Sequence, residues 1–389
     1  MSKLYWVMKT GFEMLDVYHV YGVAHLLSTA AARASPRVRG DVVIEDVGPL
    51  WTVQAPDIPL DDALAREVSQ YVTAALVRDD STGEGNDEGA RPPEWFLRRG
   101  WTYIHATLRE GREQRAAQLT ERLPPAIMAM RPGVVLPKGY PPDTAKFLQG
   151  LETAAGKGSR RPARAAYSEE GLDAGHLPQA MADVACVGLM AVGHIEWPRG
   201  GHPSISMVGV PQRVIFTNHI AVRDALRTRG PLSDASDLSA VAHYAVRLVQ
   251  SLARHSASAS PRASRYSGIT YETMVGTGAN SKPSHGGVFP LDFLNHLATS
   301  ADSADGSGDL LDVWDAVFVA AAPKGGKDKG KESVALSLAE FLGHPTLRTL
   351  ERHWRYHLRA NLRDRGDRKQ IGKLYPEPAM KGLMAHVEA

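Results

Sequence analysis

The stretch TLRTLERHWRYHLRANLRDR, residues 346–365, predicts a long amphipathic helix and with it a helical C-terminal region. Five arginines recur in it at spacings of four, three, four and four, which places them in one stripe: Arg348, Arg352, Arg355, Arg359 and Arg363. Apolar residues at 347, 350, 354, 358 and 362 form an adjoining stripe that we expect to pack on a core. His353 and His357 are expected to extend the polar face. The alternative is that the arginines form an ordinary solvated basic face.

Working outward, Gly343-His344-Pro345 is a stop and restart signal, so a helix over 333–342 should pair with the helix over 346–365. Further helices are predicted over 12–32, 60–77 and 238–254. Short strands are predicted over 42–44 and 50–53, joined by a Gly48-Pro49 turn, and over 205–216, whereas 181–197 suits a buried strand or a short helix. The expected fold is α+β, with a mixed N-terminal and middle region of small antiparallel sheets and long loops, followed by a helical C-terminal region.

The length of 389 residues indicates two or three domains, for which we expect the regions 1–155, 166–330 and 331–389. The charge is nearly balanced, with 45 Lys or Arg against 43 Asp or Glu, so the basic C-terminal segment is a local concentration. Cys186 is the single cysteine, which excludes an internal disulfide and favours a reducing cytoplasm. We expect no signal peptide and no membrane span.

The sequence contains neither a complete phosphate-loop motif nor a nucleophile elbow. Gly156-Lys157-Gly158-Ser159 lacks the upstream glycine and the adjoining hydroxyl of a phosphate loop, the segment 276–282 lacks its Gly-Lys step, and no Gly-x-Ser-x-Gly elbow occurs. We therefore expect no catalytic residue, no metal and no cofactor. One alternative is a metal-dependent enzyme that uses His194, His202, His219 and Glu196. Another is a transcription regulator with the C-terminal helix pair as a helix-turn-helix, although arginines along the full helix suit backbone contacts better than base reading.

Basic residues on separate segments favour DNA as the partner. The lysine-rich loop over 323–332 adds Lys327 and Lys329 to the arginine stripe as expected phosphate contacts, which give affinity without sequence information. Base edges could be read by the glycine-rich loop over 276–287, whose candidate residues are Asn280, Ser281, Lys282 and Ser284. An ordinary surface loop is the alternative for that segment.

The segments EMLDVYHVYGVAHLLSTA (13–30) and LAEFLGHPTLRTLERHWRYHLRANL (338–362) resemble the compact large subunits of type I CRISPR Cascade complexes. The resemblance is one of organisation over most of the chain. It implies a non-catalytic subunit of an RNA-guided effector that recognises the target-adjacent motif in double-stranded DNA and guides the separated strands. Guide RNA and other Cascade subunits would be its partners, and a nuclease or a transposition protein could be recruited.

Overall fold

The computed structural model describes most of the chain in separate ranges. These are residues 2–9, 13–34, 41–77, 112–133, 135–136, 179–196, 204–227, 229–230, 232–233, 235–256, 264–275, 282–300, 307–321, 329–363, 383 and 387.

Ten helices and eight strands lie within these ranges, and they give an α+β fold. The strands are β1 (Ser2–Met8), β2 (Val43–Asp46), β3 (Leu50–Pro56), β4 (Val135–Leu136), β5 (His194–Glu196), β6 (Ser204–Ile215), β7 (Arg265–Val275) and β8 (Lys282–Pro290). The helices are α1 (Glu13–Ala34), α2 (Asp62–Val77), α3 (Arg112–Ala129), α4 (Gln179–Val192), α5 (Phe216–Arg227), α6 (Asp237–Ser256), α7 (Asp292–Ser300), α8 (Ser307–Ala321), α9 (Lys329–Gly343) and α10 (Leu347–Arg363). The predicted fold class and the predicted C-terminal helix pair are confirmed.

The strands form one sheet in the order β4-β1-β3-β2-β6-β7-β8, with β5 paired to β6. The predicted hairpin is present, since β2 pairs antiparallel with β3 and Ile44 lies opposite Val53. Gly48 in its turn has a φ of 95°, a value that side chains other than glycine adopt rarely. The chain over 181–197, which the sequence left open between strand and helix, forms α4 and then β5.

The chain divides into two compact units that alternate along the sequence. Unit 1 comprises Met1–Trp197, His202–Ala221 and Thr270–Gly287, and unit 2 comprises Pro198–Gly201, Val222–Ile269 and Val288–Ala389. Parts of β7 and β8 belong to unit 1, whereas α6 before them and the C-terminal helices after them belong to unit 2.

In unit 1 the core lies around α1, whose buried residues run from Met14 to Ala31 and which packs on α4 and on the sheet. In unit 2, α6 packs on α7, α8 and α9, and α9 also packs on α10. Trp314, Phe318 and Phe341 are fully buried there. Burial of aromatic side chains of this size is a large part of what holds a helical unit together. The unit-2 helices thus provide a fixed support for α10.

No helix in the described part of the chain is long and apolar enough to cross a membrane.

Candidate nucleic-acid interface

Helix α10 begins at a reciprocal cap. The amide of Thr349 donates to Oγ1 of Thr346 at 3.2 Å, and the amide of Thr346 donates to Oγ1 of Thr349 at 3.0 Å. Both bonds satisfy amide groups that a helix start leaves without intrahelical partners. Pro345 precedes the cap and cannot continue α9 into α10. The start of α10 is therefore fixed by local sequence.

The buried face of α10 consists of Leu350, His353, His357 and Ala360, at spacings of three, four and three. Nδ1 of His353 lies 3.2 Å from Oγ of Ser337 on α9. Burial, with a smaller effect of the nearby His357 in the same direction, lowers the pKa of His353 to about 3. His353 is therefore neutral at physiological pH, which permits its place inside the contact between the two helices.

This face differs from the predicted one by about a quarter of a turn. The sequence placed both histidines on the polar face, and that expectation is wrong, because His353 and His357 are only 1% and 6% exposed. Leu347 and Leu358 were expected on the packed side but are 50% and 60% exposed. The polarity of imidazole misled the prediction, since a neutral histidine with a hydrogen-bond partner packs well.

The arginine stripe lies on the exposed side of α10, as predicted. Arg348, Arg352, Arg355 and Arg359 are all exposed, and the side chain of Arg363 is outside the described residues. Tyr356, Leu347 and Leu358 are exposed on the same helix. Tyr356 was not predicted to be a surface residue, although it directly follows Arg355 on the helix. The exposed part of α10 therefore combines guanidinium groups with apolar and aromatic surface.

Two of the arginines have acidic partners. Arg352 forms an ion pair with Glu340 of α9 at 2.7 Å, and Arg355 pairs with Glu351 at 2.5 Å. Glu351 lies one turn before Arg355 on the same helix, whereas Glu340 comes from the neighbouring helix and only the fold reveals it. In the described ranges neither Arg348 nor Arg359 has an ion pair. Exposed pairs of this kind contribute about 0–1 kcal/mol each, so a phosphate can displace them.

The two predicted lysine contacts are only partly described. Lys327 lies outside the described residues, and Lys329 is the first residue of α9, so it belongs to a helix and not to the predicted loop. The predicted loop was too long because Gly330 is a poor helix former, so the helix was expected to begin after it.

The predicted motif-reading loop is also shorter than expected. Asn280 and Ser281 lie outside the described residues. Lys282 and Ser284 lie in β8, next to β7 in the sheet, which corrects their placement in a loop. A Cβ on Gly286 would lie 2.7 Å from the carbonyl oxygen of Tyr271, so the glycines that suggested a loop permit close strand pairing.

The histidines of the metal alternative are dispersed among the described elements. His194 is at the start of β5, and His219 is buried on α5 with its ring centroid 4.8 Å from that of Tyr21. His202 lies outside the described residues, and only the backbone of Glu196 is described. Among the residues that were described, no three His, Cys, Asp or Glu side chains come together in a way that could hold a metal ion.

Comparison with known proteins gives one full-length similarity. No protein-family model matches the chain. A protein of Archaeoglobus fulgidus, named only as an uncharacterized protein, is 25% identical over 400 residues, which cover 98% of this chain and 98% of the archaeal one. The similarity extends over both units, but it carries no statement of activity, so the functional argument depends on the geometry of α10.

Proposed function

We propose that this chain is a non-catalytic DNA-binding subunit of an RNA-guided effector complex of the CRISPR Cascade type. In this proposal the exposed arginines of α10 hold a DNA strand by its phosphates. The observation that carries it is the geometry of α10, in which one face is buried on α9 and four arginines of the opposite side are exposed. The resemblance of the N-terminal and C-terminal segments to compact Cascade large subunits is the reason for proposing this type of complex.

The arginines of α10 are arranged better for contact with the phosphate backbone of DNA than for reading its base sequence. The arginines from 348 to 359 cover three turns, a rise of about 16 Å at about 1.5 Å per residue. Successive phosphates of one DNA strand are about 3.4 Å apart along the helix axis, so a stripe of this length would reach several of them. Arginine also offers a planar pair of donors that matches a phosphate. Base pairing with a guide RNA would then supply sequence specificity.

The fold class supports the proposal. A mixed α+β part followed by a helical part is the organisation that the resemblance implies, and the fold class of this chain is α+β with a helical C-terminal region. Recognition of the target-adjacent motif by the segment between β7 and β8 belongs to the proposal as well, with Asn280 and Ser281 in that segment.

The experiment compares two double variants of the full chain in fluorescence-anisotropy titrations with single-stranded, duplex and bubble DNA. Arg348→Ala with Arg359→Ala removes two exposed arginines from α10. Arg33→Ala with Arg66→Ala removes the same charge from α1 and α2, where each arginine pairs with a carboxylate. We expect the α10 variant to bind DNA at least about tenfold more weakly and the control to bind like the wild type. Equal binding by both variants would contradict the role given to α10.

A further inference from the structure

A second cluster of arginines lies in unit 2, on segments of the chain other than α10. Its residues come from the segment before α6, from the second half of α6 and from α8. We call it the arginine cluster; its members are Arg229, Arg247, Gln250, Arg254, Asp312 and Asp315.

In the inner part of this cluster, around Asp315, the charged side chains form hydrogen bonds with one another and with the backbone. Asp315 accepts hydrogen bonds from Nε of Arg247 at 2.6 Å and from Nε2 of His243 at 2.8 Å. The amide of Ser233 donates to Nδ1 of His243 at 2.9 Å, so Nε2 carries the proton. Arg247 also donates to the carbonyl oxygen of Gly230 at 2.5 Å. Burial alone would raise the pKa of Asp315, but the bonds from His243 and Arg247 lower it well below its usual range. Asp315 and Arg247 therefore hold the segment before α6 in place.

The outer part has more positive than negative charge. Asp312 accepts from Arg254 at 3.1 Å and from the side-chain amide of Gln250. The carbonyl end of that same amide is the hydrogen-bond acceptor for Arg229. Thus Arg229 contacts a neutral group where Arg247 and Arg254 contact carboxylates. Among the described residues, three guanidinium groups share two carboxylates.

Arg229 interacts with both signs of charge in this cluster. Burial is the main cause that lowers the pKa of Arg229; Asp315 and Asp312 raise this pKa, while Arg254 and Arg247 lower it. Arg254 is nonetheless 59% exposed, and Arg229 is half-buried. A half-buried guanidinium group near two others is a costly arrangement that an anion would relieve. The shape and charge of a phosphate group suit it, since it accepts bonds from two guanidinium groups at once.

We propose that Arg229 and Arg254 form a second binding site for a phosphodiester group, so that unit 2 contacts a nucleic-acid strand at this cluster as well as at α10. This inference rests on the proposed function. Helix α9 packs on both α6 and α10, so the two sites belong to one set of packed helices. Arg247 is a positioning residue in this arrangement, because its donors are directed to Asp315 and Gly230.

The test uses the full chain and a 30-nucleotide single-stranded DNA, with Kd measured over a range of salt concentrations. Arg229→Gln with Arg254→Gln removes the charges that we assign to the phosphate. We expect weaker binding and a slope of log Kd against log salt that is shallower by about 0.7 for each lost contact. Arg254→Lys keeps the charge at the more exposed position and should retain most of the slope.

Asp312→Asn changes the charge in the opposite direction. It removes the carboxylate that competes for Arg254, so affinity should rise and the slope should steepen. A rise in affinity cannot result from misfolding, so this variant keeps the inference testable if the arginine variants prove unstable.

The outcomes separate the two proposals. If the α10 variant weakens binding while the Arg229 and Arg254 variant and Asp312→Asn leave affinity and slope unchanged, the second site is refuted and the proposed function stands. If neither the α10 variant nor the cluster variants change binding, both proposals fail. If only the cluster variants change it, the second site stands and the role of α10 fails.

Discussion

Nδ1 of His353 lies 3.2 Å from Oγ of Ser337, inside the contact between α10 and α9. This contact sets the rotation of α10 about its own axis, because the residues at 350, 353, 357 and 360 then face α9 and the arginines face solvent. The basic face of this protein is thus positioned by two buried histidines and not by a leucine stripe.

The buried histidine makes the helix pair sensitive to acid. His353 has a pKa of about 3 when folded and should have an ordinary value near 6.5 when unfolded, so only the unfolded chain takes up a proton between these values. The contribution of His353 to the free energy of unfolding is therefore fully present above about pH 6.5 and is lost as the pH drops toward 3. We expect His353→Gln to reduce that fall by about 1.4 kcal/mol per pH unit, measured by urea unfolding. His296→Gln, on the exposed side of α7, serves as control. If the free energy of unfolding of His353→Gln and of the wild type depended on pH in the same way, the lowered pKa of His353 would be refuted.

The ion pairs on α10 give a prediction in the direction of tighter binding. Glu340→Gln with Glu351→Gln removes the carboxylates that pair with Arg352 and Arg355, so all four arginines become available to phosphates. DNA affinity should rise and its salt dependence should steepen, while the free energy of unfolding changes by less than about 2 kcal/mol for the two pairs together.

The control for this variant is Asp62→Asn with Glu67→Gln, which removes two exposed carboxylates from α2. An equal rise in affinity in both would mean that net charge, and not the α10 face, governs binding.

Glu272 gives a prediction at alkaline pH. It is buried in β7, and burial raises the pKa of its carboxyl group to about 9. Oε1 of this group has no hydrogen-bond partner in the described part of the protein. The folded chain therefore holds a proton that the unfolded chain loses above about pH 4.5, and stability falls as the pH rises from there to about 9.

Glu272→Gln keeps the shape of the protonated side chain and removes this titration. We expect the variant and the wild type to be similar near pH 4.5, with the variant more stable by a margin that grows as the pH rises to 8. The measurement is the urea midpoint at each pH. A constant difference between the two would show that Glu272 is ionised in the folded protein.

The contact of α1 with α4 depends on two glycines. A Cβ on Gly188 would lie 1.8 Å from the carbonyl oxygen of Tyr18, and one on Gly22 would lie 1.9 Å from that of Val184. Backbone atoms cannot yield as a flexible side chain does, so the helices would have to separate. We expect Gly188→Ala to reduce the free energy of unfolding by about 2 kcal/mol or more, measured by denaturant unfolding. Gly230→Ala, where a Cβ would meet nothing within 4 Å, should be nearly neutral; equal stability of both variants would contradict this account.

The sequence predicted the elements of this fold better than their packing. Helical periods located α1, α2, α6 and α10 within a few residues, since apolar spacing and turn residues are local signals. The segment containing Lys282 and Ser284 was expected to be a loop because its Gly and Pro content is typical of turns. Its pairing beside β7 depends on a strand partner, which single-sequence reasoning does not see.

The candidate site was partly predictable for the same reason. The spacing of the arginines was sufficient to place Arg348, Arg352, Arg355 and Arg359 on one exposed side. The choice of buried face was wrong because it ranked residues by polarity, and His353 is buried through its contact with Ser337. Glu340 and the arginine cluster around Arg229 depend on contacts between separate helices. Sequence spacing carries no information on such contacts.

The most direct test of the central claim, that the exposed side of α10 binds nucleic-acid phosphates, is the salt dependence of DNA binding. We would compare the wild type with a variant in which Arg348, Arg352, Arg355 and Arg359 are all alanine, using a 30-base-pair duplex between 50 and 300 mM salt. If two or three of these arginines contact phosphates, the slope of log Kd against log salt should become shallower by about 2–3, since each lost contact on duplex DNA contributes about 0.9. An unchanged slope and an unchanged Kd in a folded variant would contradict the claim.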